Sequence, residues 1–236
     1  EISGALEVAK NACAAGADGF IVQDIGLARL LKSACPDMPL HASTQLSCHT
    51  PDGVRFLRDN GFSRVVLARE MTLEEIRACA GLGCELEVFV HGALCMCVSG
   101  QCYLSAALGG RSGNRGLCAQ PCRLDWRCGN QSYALSLKDM SLVSHLREMT
   151  EAGVTTLKIE GRMKRPEYVA AAVTACKNAL EGKPYDLKTL EAVFSRSGFT
   201  DGYFVGDIKR KMTGVRSEKD KEATKAMGEM RFSPER

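Results

Sequence analysis

Three stretches of the chain repeat one plan, in which a helix ends, a glycine follows and a short apolar strand leads into the next helix. The glycines are Gly16, Gly61 and Gly153, each placed where a helix C-terminus favours a residue that can adopt positive φ. Two further strand-like runs are LHASTQ, from Leu40, and LEVFVHG, from Leu86. Alternating strands and helices predict an α/β fold with a parallel sheet and right-handed crossovers.

Polar residues at the strand ends favour a (β/α) TIM-barrel-like domain over an open nucleotide-binding sheet. Barrel enzymes collect their catalytic groups at the carboxyl ends of strands, and the chain has no Gly-x-Gly-x-x-Gly and no Walker-type loop. Five strands are too few to close an eight-stranded barrel, so we expect the N-terminal strands to be missing. The strand-end residues are Gln23 and Asp24, Thr44 and Gln45, Arg69 and Glu70, His91, and Glu160 with Arg162.

The pattern changes after Gly182 and Pro184, where a helix is expected to end. Residues 1–185 are predicted to form the partial barrel, including a Cys-rich loop at 92–128. Residues 186–236 are predicted to form a helix and a turn or hairpin, with a basic tail that leads to a further domain. Ser136 to Met149 is predicted as one helix, with Ser136 and Asp139 as capping residues.

The placement of charged residues and the lengths of apolar runs limit the classes of protein to which the chain is expected to belong. Residues 207–236 hold nine Lys and Arg against six Asp and Glu, which equals the whole formal net charge of +3. The tail is either a solvated linker or a weakly basic surface. No apolar run has the length of a membrane helix and no basic-then-apolar leader is present, so we expect a soluble cytoplasmic protein with no membrane partner.

A Gly- and Ser-rich segment crowds five cysteines together after the strand at Leu86. Four of them have the spacing C-x6-C-x15-C-x3-C, and four thiolates suit either a structural zinc ion or an iron–sulfur cluster. The C-x2-C pairs of zinc ribbons are absent, which favours the cluster. These four are Cys95, Cys102, Cys118 and Cys122, with Cys97 and Cys128 as spare thiols.

Several blocks of the chain resemble the peptidase U32 family. The pattern Glu87-x-Phe89-x-x-Gly92-Ala93-Leu94-Cys95-x4-Gly100-x-Cys102-x-Leu104-Ser105 fills every fixed position of the family signature. The blocks LHASTQ, VVLARE, GGRSGNRGLCAQPCRL, LKIEGRMKRPEYVA and SGFTDGYF are similar to family blocks as well. The resemblance therefore covers nearly the whole chain, apart from the opening barrel strands of full-length members.

The resemblance implies a barrel-like fold and oxygen-independent hydroxylation that depends on a four-cysteine [4Fe–4S] cluster. Family members hydroxylate a ribosomal RNA cytidine or a wobble tRNA uridine with prephenate, and paired members act in anaerobic ubiquinone synthesis. Carried over by position, Cys95, Cys102, Cys118 and Cys122 would be the cluster ligands. The blocks at the C-terminal end are most similar to the longer branch that acts on rRNA cytidine, so rRNA is expected over tRNA.

The strand ends and the cysteine segment supply the other candidate site residues. His91 and Glu160 are candidate catalytic residues, although each also suits a purely structural role at a strand end. A dicarboxylate such as prephenate needs guanidinium partners. The predicted substrate-binding residues are Arg69, Arg111, Arg123, Arg162 and Gln45.

Arginines and aromatic residues around the cysteines suit RNA, which needs a basic surface and stacking groups. The same arginines would also offset thiolate charge. The residues concerned are Arg111, Arg115, Arg123, Arg127, Tyr103 and Trp126.

Two other functions stay open from the residues alone. The family name records collagenase-like proteolysis, but the chain has no H-E-x-x-H helix and no Gly-x-Ser-x-Gly elbow. A peptidase would therefore need a nucleophile pair such as Cys97 with His91. The third possibility is a zinc-stabilised binding module without catalysis. Oligomeric state has no signal in the sequence.

Overall fold

A computed structural model describes residues 1–161, 164–208 and 212–227. They divide into two compact units. Unit 1 comprises Glu1–Val88, Val98–Gln101 and Ala152–Thr156, and unit 2 comprises Phe89–Cys97, Cys102–Glu151 and the residues from Leu157 onward. The predicted boundary at residue 185 stays a prediction.

Unit 1 is built from helices and parallel strands in strict alternation. The helices are α1 (Ile2–Ala14), α2 (Ile25–Ala34), α3 (Pro51–Asp59) and α4 (Leu73–Ala78), and the strands are β1 (Phe20–Val22), β2 (Leu40–Ala42), β3 (Arg64–Val66) and the first half of β4 (Glu85–Ala93). Neighbouring strands pair in parallel in chain order, with Phe20 opposite Leu40, His41 opposite Arg64 and Val65 opposite Leu86. The predicted parallel α/β class is confirmed.

Local signals in the sequence account for the helix ends of unit 1. Gly16, Gly61 and Gly153 have φ of 80°, 88° and 96°, as their positions after helices predict. Thr72 and Glu75 form a capping box at the start of α4, in which each side chain binds the other residue's backbone N–H. Asp24, expected among strand-end polar residues, accepts the Leu27 N–H at 2.6 Å and begins α2.

Unit 2 contains the rest of β4, together with shorter and less regular elements. The helices are α5 (Leu104–Gly109), α6 (Leu146–Glu151), α7 (Pro166–Leu180), α8 (Leu187–Val193) and α9 (Glu218–Met227), and the strands are β5 (Asp139–Ser141), β6 (Thr156–Ile159) and β7 (Phe199–Thr200). Strand β5 is antiparallel to β4, with His91 opposite Ser141, and parallel to β7, with Asp139 opposite Phe199. Strand β6 pairs with β4.

The predicted single helix from Ser136 to Met149 is wrong. That stretch contains strand β5, a short 3-10 turn at Val143–His145 and the start of α6. Asp139 does not cap a helix, because it is buried in β5 and ion-paired with Arg196. A contact between residues distant in sequence therefore overrides the local helical pattern.

The segment SRSGFTDGYFVG was predicted as a turn or hairpin. It contains β7 and, after it, a turn in which Asp207 N–H binds the Gly202 carbonyl at 2.8 Å. The strand pairs with β5 rather than folding back on its own segment. The sheet is parallel in most of its pairings, and closure into a barrel stays a prediction. No helix in the described ranges is long and apolar enough to cross a membrane.

Candidate functional site

The cysteine segment follows β4 and lies in unit 2, except for residues 98–101. It is held by short local structures: α5, a 3-10 turn at Gly113–Arg115 and a second at Pro121–Arg123. Cys95, Cys102 and Cys118 are exposed, and Cys122 is half-buried. The segment thus presents thiols at a surface, unlike the buried cysteines Cys48, Cys79 and Cys176 elsewhere in the chain.

Three of the predicted ligand thiols influence one another electrostatically. Burial raises the pKa of the Cys122 thiol, Arg123 opposes that rise, and Cys118 and Cys102 add to it. Cys102 and Cys118 both approach Gly113, where a Cβ would lie 4.0 Å from the Cys102 carbonyl oxygen and 3.8 Å from the Cys118 Cβ. The Gln120 N–H donates to the Cys118 sulfur at 3.3 Å, a contact that would stabilise a thiolate there.

Within the described residues, no three His, Cys, Asp or Glu side chains are arranged to hold one metal ion. A single zinc ion requires sulfurs at about 2.3 Å from a common centre. A cubane cluster carries one iron for each cysteine ligand, so its cysteine sulfurs stand further apart. Four thiols in one unit, with a guanidinium beside them, fit the donor chemistry of such a cluster.

Arg123 connects the cysteine segment to the strands of unit 2. Its guanidinium donates to the carbonyl of Leu94 at 2.5 Å, to the carbonyl of Leu137 and to the Ser136 hydroxyl at 3.2 Å. Burial and the neighbouring Arg196 lower the pKa of Arg123, while Cys122, Asp139 and Cys95 raise it. Because its donors already have protein acceptors, Arg123 holds the segment in place with a positive charge near two of the thiols.

His91 lies in the second half of β4 and is only 1% exposed. Its ring stacks on Tyr168 with the centroids 5.6 Å apart and meets the edge of Phe199 at 5.1 Å. Burial and the charge of Lys164 lower its pKa to about 4, so the imidazole is neutral near pH 7. Neither ring nitrogen has a hydrogen-bond partner in the part of unit 2 that the structure describes.

Glu160 follows β6 and is bound to β4 through its backbone. Its N–H donates to the His91 carbonyl at 2.8 Å, and its own carbonyl accepts from the Tyr168 hydroxyl at 2.9 Å. Gly92 makes this approach possible, because a Cβ there would lie 2.6 Å from the Glu160 Cβ, and its φ of 126° is strained for any other residue. The two predicted catalytic residues are therefore adjacent in unit 2.

A group of charged residues that the sequence did not single out surrounds the ring of Phe194. Lys164 Nζ lies 2.8 Å from the ring centroid, and the guanidinium carbons of Arg196 and Arg216 lie at 5.0 and 4.9 Å. Asp139 is ion-paired with Arg196, and both are buried. We call Asp139, Lys164, Phe194, Arg196 and Arg216 the Phe194 cluster.

Burial and charge shift two pKa values in the Phe194 cluster. Burial, reinforced by Arg196 and opposed by Asp139, lowers the pKa of Lys164 to about 8. Burial also raises the pKa of Asp139, although Arg196, Lys164 and Arg123 all favour its carboxylate. Cys122 and Arg196 both shift the pKa of Arg123, Arg196 shifts the pKa of Lys164, and Lys164 shifts the pKa of His91. These charge interactions extend from the cysteine segment to the surroundings of His91.

Sequence reasoning missed the Phe194 cluster because its members come from a predicted helix, a predicted turn and the tail. Only Lys164 carried a local signal, since it lies between β6 and α7 in the family-like block LKIEGRMKRPEYVA.

The predicted residues Gln45 and Arg69 lie in unit 1. The backbone of Gln45 touches Gly100, where a Cβ would meet the Gln45 Cα at 2.6 Å, and Gly100 has a φ of 81°. The Arg69 N–H donates to the Ser99 hydroxyl at 3.2 Å, and that hydroxyl donates to the Glu70 carboxylate at 3.1 Å. Glu70 therefore fastens the 98–101 segment within unit 1.

Two predicted substrate-binding arginines remain, Arg111 and Arg162. Arg111 is exposed in unit 2, and its Nε donates to the Leu117 carbonyl at 2.9 Å. Arg162 lies outside the described residues.

Comparison with known proteins gives a consistent family. The sequence pattern of "Peptidase family U32" matches residues 1–214. The chain is 38% identical over 204 residues to the "23S rRNA 5-hydroxycytidine C2501 synthase" of Escherichia coli, covering 83% of this chain and 30% of that protein. It is 31% identical over 251 residues to the "tRNA hydroxylation protein P" of the same organism, covering 80% and 55%.

A third relative carries a different name. The "Collagenase" of Porphyromonas gingivalis is 38% identical over 204 residues, covering 71% of this chain and 48% of that protein. The chain thus spans from about a third to about half of the length of these relatives. A solved structure, "The Structure of the U32 Peptidase Mk0906", matches 38% of this chain and 36% of that chain at 20% identity and a TM-score of 0.34. On the match across residues 1–214, the chain belongs to peptidase family U32.

Proposed function

We propose that this chain is part of an iron–sulfur protein that hydroxylates an RNA pyrimidine without molecular oxygen, using prephenate, with an rRNA cytidine preferred over a tRNA uridine. The observation that carries the proposal is the joint similarity to an rRNA hydroxycytidine synthase and to tRNA hydroxylation proteins over 80% or more of this chain. The presence of four thiols in one unit of the structure also supports the proposal.

In this proposal Cys95, Cys102, Cys118 and Cys122 hold a [4Fe–4S] cluster. The cluster would supply one-electron chemistry when bound. Arg123 places a fixed positive charge beside Cys122 and Cys95, which offsets thiolate charge. The Gln120 N–H at the Cys118 sulfur acts in the same direction.

The surface around the cysteines supports RNA as the substrate. Tyr103 is 67% exposed and Trp126 is 37% exposed, so both rings are available to stack on unpaired bases. The side chain of Arg127 is 74% exposed and would contact phosphate. A cationic surface with exposed aromatic rings, next to the proposed cluster, suits an RNA loop with a splayed base.

His91 and Glu160 are proposed to act beside the reacting base. A buried neutral imidazole can donate one hydrogen bond and accept another while it stays uncharged. The backbone contact with Glu160 fixes the position of both residues. For Gln45, Arg69, Arg111 and Arg162, binding of the acidic co-substrate stays a prediction from the sequence, and Arg123 is proposed to act through charge.

Proteolysis is the second candidate, on the collagenase-named relative. A Cys97–His91 pair would require a hydrogen bond between sulfur and imidazole, at least in the reacting state. His91 makes no such bond within the described part of unit 2, and its pKa of about 4 makes it a weak base. Both observations weigh against a Cys97–His91 nucleophile pair, and a zinc-stabilised binding module is the third candidate.

The test combines metal analysis with RNA analysis. Protein purified without oxygen should contain iron and sulfide and show a visible absorption band, which Cys118→Ser removes and Cys97→Ser retains. RNA from a deletion strain should lack one hydroxylated pyrimidine by nucleoside mass spectrometry, and wild type and Cys97→Ser should restore it. Zinc in place of iron would refute the cluster. Unchanged RNA together with gelatin cleavage by the pure protein would establish the peptidase instead.

A further inference from the structure

The Phe194 cluster brings three cationic side chains to one aromatic ring inside unit 2. Lys164, Arg196 and Arg216 lie 2.8, 5.0 and 4.9 Å from the Phe194 centroid. Contact with the ring face offers some stabilisation to a cation. It does not remove the repulsion among three like charges in a partly buried place, which grows as the local dielectric falls.

The Phe194 cluster as defined contains one carboxylate, that of Asp139. Asp139 pairs with Arg196, and both are more than nine-tenths buried. Lys164 is half-buried, and within the described residues its ammonium has neither a hydrogen-bond acceptor nor an ion-pair partner. A half-buried ammonium without an acceptor is costly, and an anion at this place would remove the cost.

An independent feature beside the cluster points to the same conclusion. His91 is 1% exposed, and its two ring nitrogens lack partners in the described part of unit 2. Its neutral imidazole has one N–H to donate. Tyr168 connects the two residues, because its ring stacks on His91 and lies 5.8 Å from Lys164 Nζ. An acceptor bound at Lys164 would also be within the surroundings of His91.

We propose that Lys164 and Arg216, backed by the buried Arg196–Asp139 pair and by His91, form a binding site for the carboxylate of a small organic acid. The inference rests on the proposed function only in naming the acid as prephenate. It places the acid at residues around Phe194 rather than at the sequence-predicted Arg111 and Arg123, which already donate to backbone carbonyls.

The burial of the proposed site favours a small acid as its ligand over the phosphates of a folded RNA. Arg196 is 7% exposed, Tyr168 is 2% exposed and His91 is 1% exposed, whereas Lys164, Phe194 and Arg216 are half-buried. A single carboxylate can reach such a place through the half-buried side. A polynucleotide backbone instead binds along an exposed basic surface.

The test measures binding of prephenate, succinate and inorganic phosphate to the purified protein by calorimetry. Lys164→Met should weaken prephenate and succinate binding about tenfold or more, the usual effect of losing one charge-assisted hydrogen bond. Lys158→Met is the matched control, because Lys158 Nζ also lies over a phenyl ring, 5.5 Å from the Phe89 centroid, outside the Phe194 cluster. Binding by the control should stay within about twofold of wild type.

Two further measurements keep the outcome clear. Iron content should be the same in wild type and Lys164→Met, which separates loss of the acid site from loss of the cluster. Arg216→Met is a second variant that leaves the buried Arg196–Asp139 pair intact, and it should weaken binding in the same direction.

The proposal is overturned if wild type binds neither acid, if Lys164→Met binds as wild type does, or if phosphate binds more tightly than both acids. Succinate binding that depends on Lys164, without prephenate binding, would support the carboxylate site and refute prephenate as the co-substrate. Prephenate binding in a protein whose deletion leaves RNA unchanged would support the site and refute the proposed function.

Discussion

Two ion pairs and two glycines, one of each from unit 1 and one of each from unit 2, differ in how local their contacts are. In unit 1 the ion pair of Asp52 with Arg55 is exposed and lies within one helix, and Gly16 has open space where a Cβ would stand. In unit 2 the ion pair of Asp139 with Arg196 is buried and joins residues far apart in sequence, and Gly92 is in close contact with Glu160. The unit 1 ion pair depends on residues close in sequence, whereas the unit 2 ion pair and Gly92 depend on contacts between residues far apart in sequence.

The largest expected effect is loss of the buried ion pair. Asp139→Asn leaves Arg196 without its counter-charge and should lower the free energy of unfolding by about 3–5 kcal/mol. The matched change in unit 1, Asp52→Asn, removes an exposed partner and should cost less than about 1 kcal/mol. Urea unfolding of both variants measures the contrast.

A double variant sharpens that contrast. Asp139→Leu with Arg196→Met replaces both charges by apolar groups, so most of the loss should be recovered, since burial raises the pKa of Asp139 even beside Arg196. If the double variant is as unstable as Asp139→Asn, the pair itself is stabilising and the contrast between the units is weaker than we state.

The next largest effect on stability is expected from replacing Gly92, which contacts Glu160 closely, compared with replacing Gly16, which does not have a close neighbour among the described residues. Gly92→Ala should destabilise by about 3 kcal/mol, because a strained φ adds to a clash with the Glu160 backbone. Gly16→Ala should cost about 1 kcal/mol, because φ alone is affected. Thermal unfolding gives both values. Equal losses would mean that the approach of Gly92 to Glu160 relaxes readily.

A smaller effect is expected at the capping box of unit 1. Thr72→Ala removes the oxygen that binds the Glu75 N–H at 3.3 Å and should cost about 1 kcal/mol. Thr150→Ala serves as the comparison in unit 2, because the Thr150 hydroxyl donates to the Arg147 carbonyl of its own helix. It should change the free energy of unfolding by less than about 0.5 kcal/mol.

The smallest effect depends on pH. Burial disfavours the charged form of His145, but hydrogen bonds to Glu148 at 3.0 Å and Asp201 at 3.1 Å outweigh it and raise its pKa above 6.5. A group whose pKa is raised by folding contributes its full stabilisation at pH values below its unfolded-state pKa. This stabilisation is lost as the pH rises through its folded-state pKa. His145→Gln should therefore be less stable than wild type at about pH 5, with the difference shrinking by about pH 9. A constant difference would show that packing on Phe204 dominates.

Much of unit 1 could be predicted from the sequence, and the cysteine ligand set stays a prediction. Helix ends with Gly16 and Gly61, the capping residues of α4 and the β-branched strand cores act within a few residues of themselves. Their conformational preferences survive almost any tertiary context. Four cysteines at characteristic spacing, within a family pattern, likewise indicate a ligand set before any fold is known.

Strand β5 and the Phe194 cluster could not be predicted in this way. Asp139 is a good helix cap in isolation, and only the buried Arg196, 57 residues away, makes the extended conformation favourable. Nothing in FSRSGFTDGYF, from Phe194, indicates that Phe194 and Arg196 meet Lys164, because those contacts depend on the ladder between β5 and β7.

The sequence by itself therefore determined the family, the α/β class, the helix ends and the thiols, since these depend on local conformation and residue chemistry. The tertiary structure decided which charges are buried, that His91 is neutral and without partners among the described residues, and that three cations meet at one ring. Those properties arise from desolvation and Coulomb interactions between distant residues, which exist only once the chain has folded.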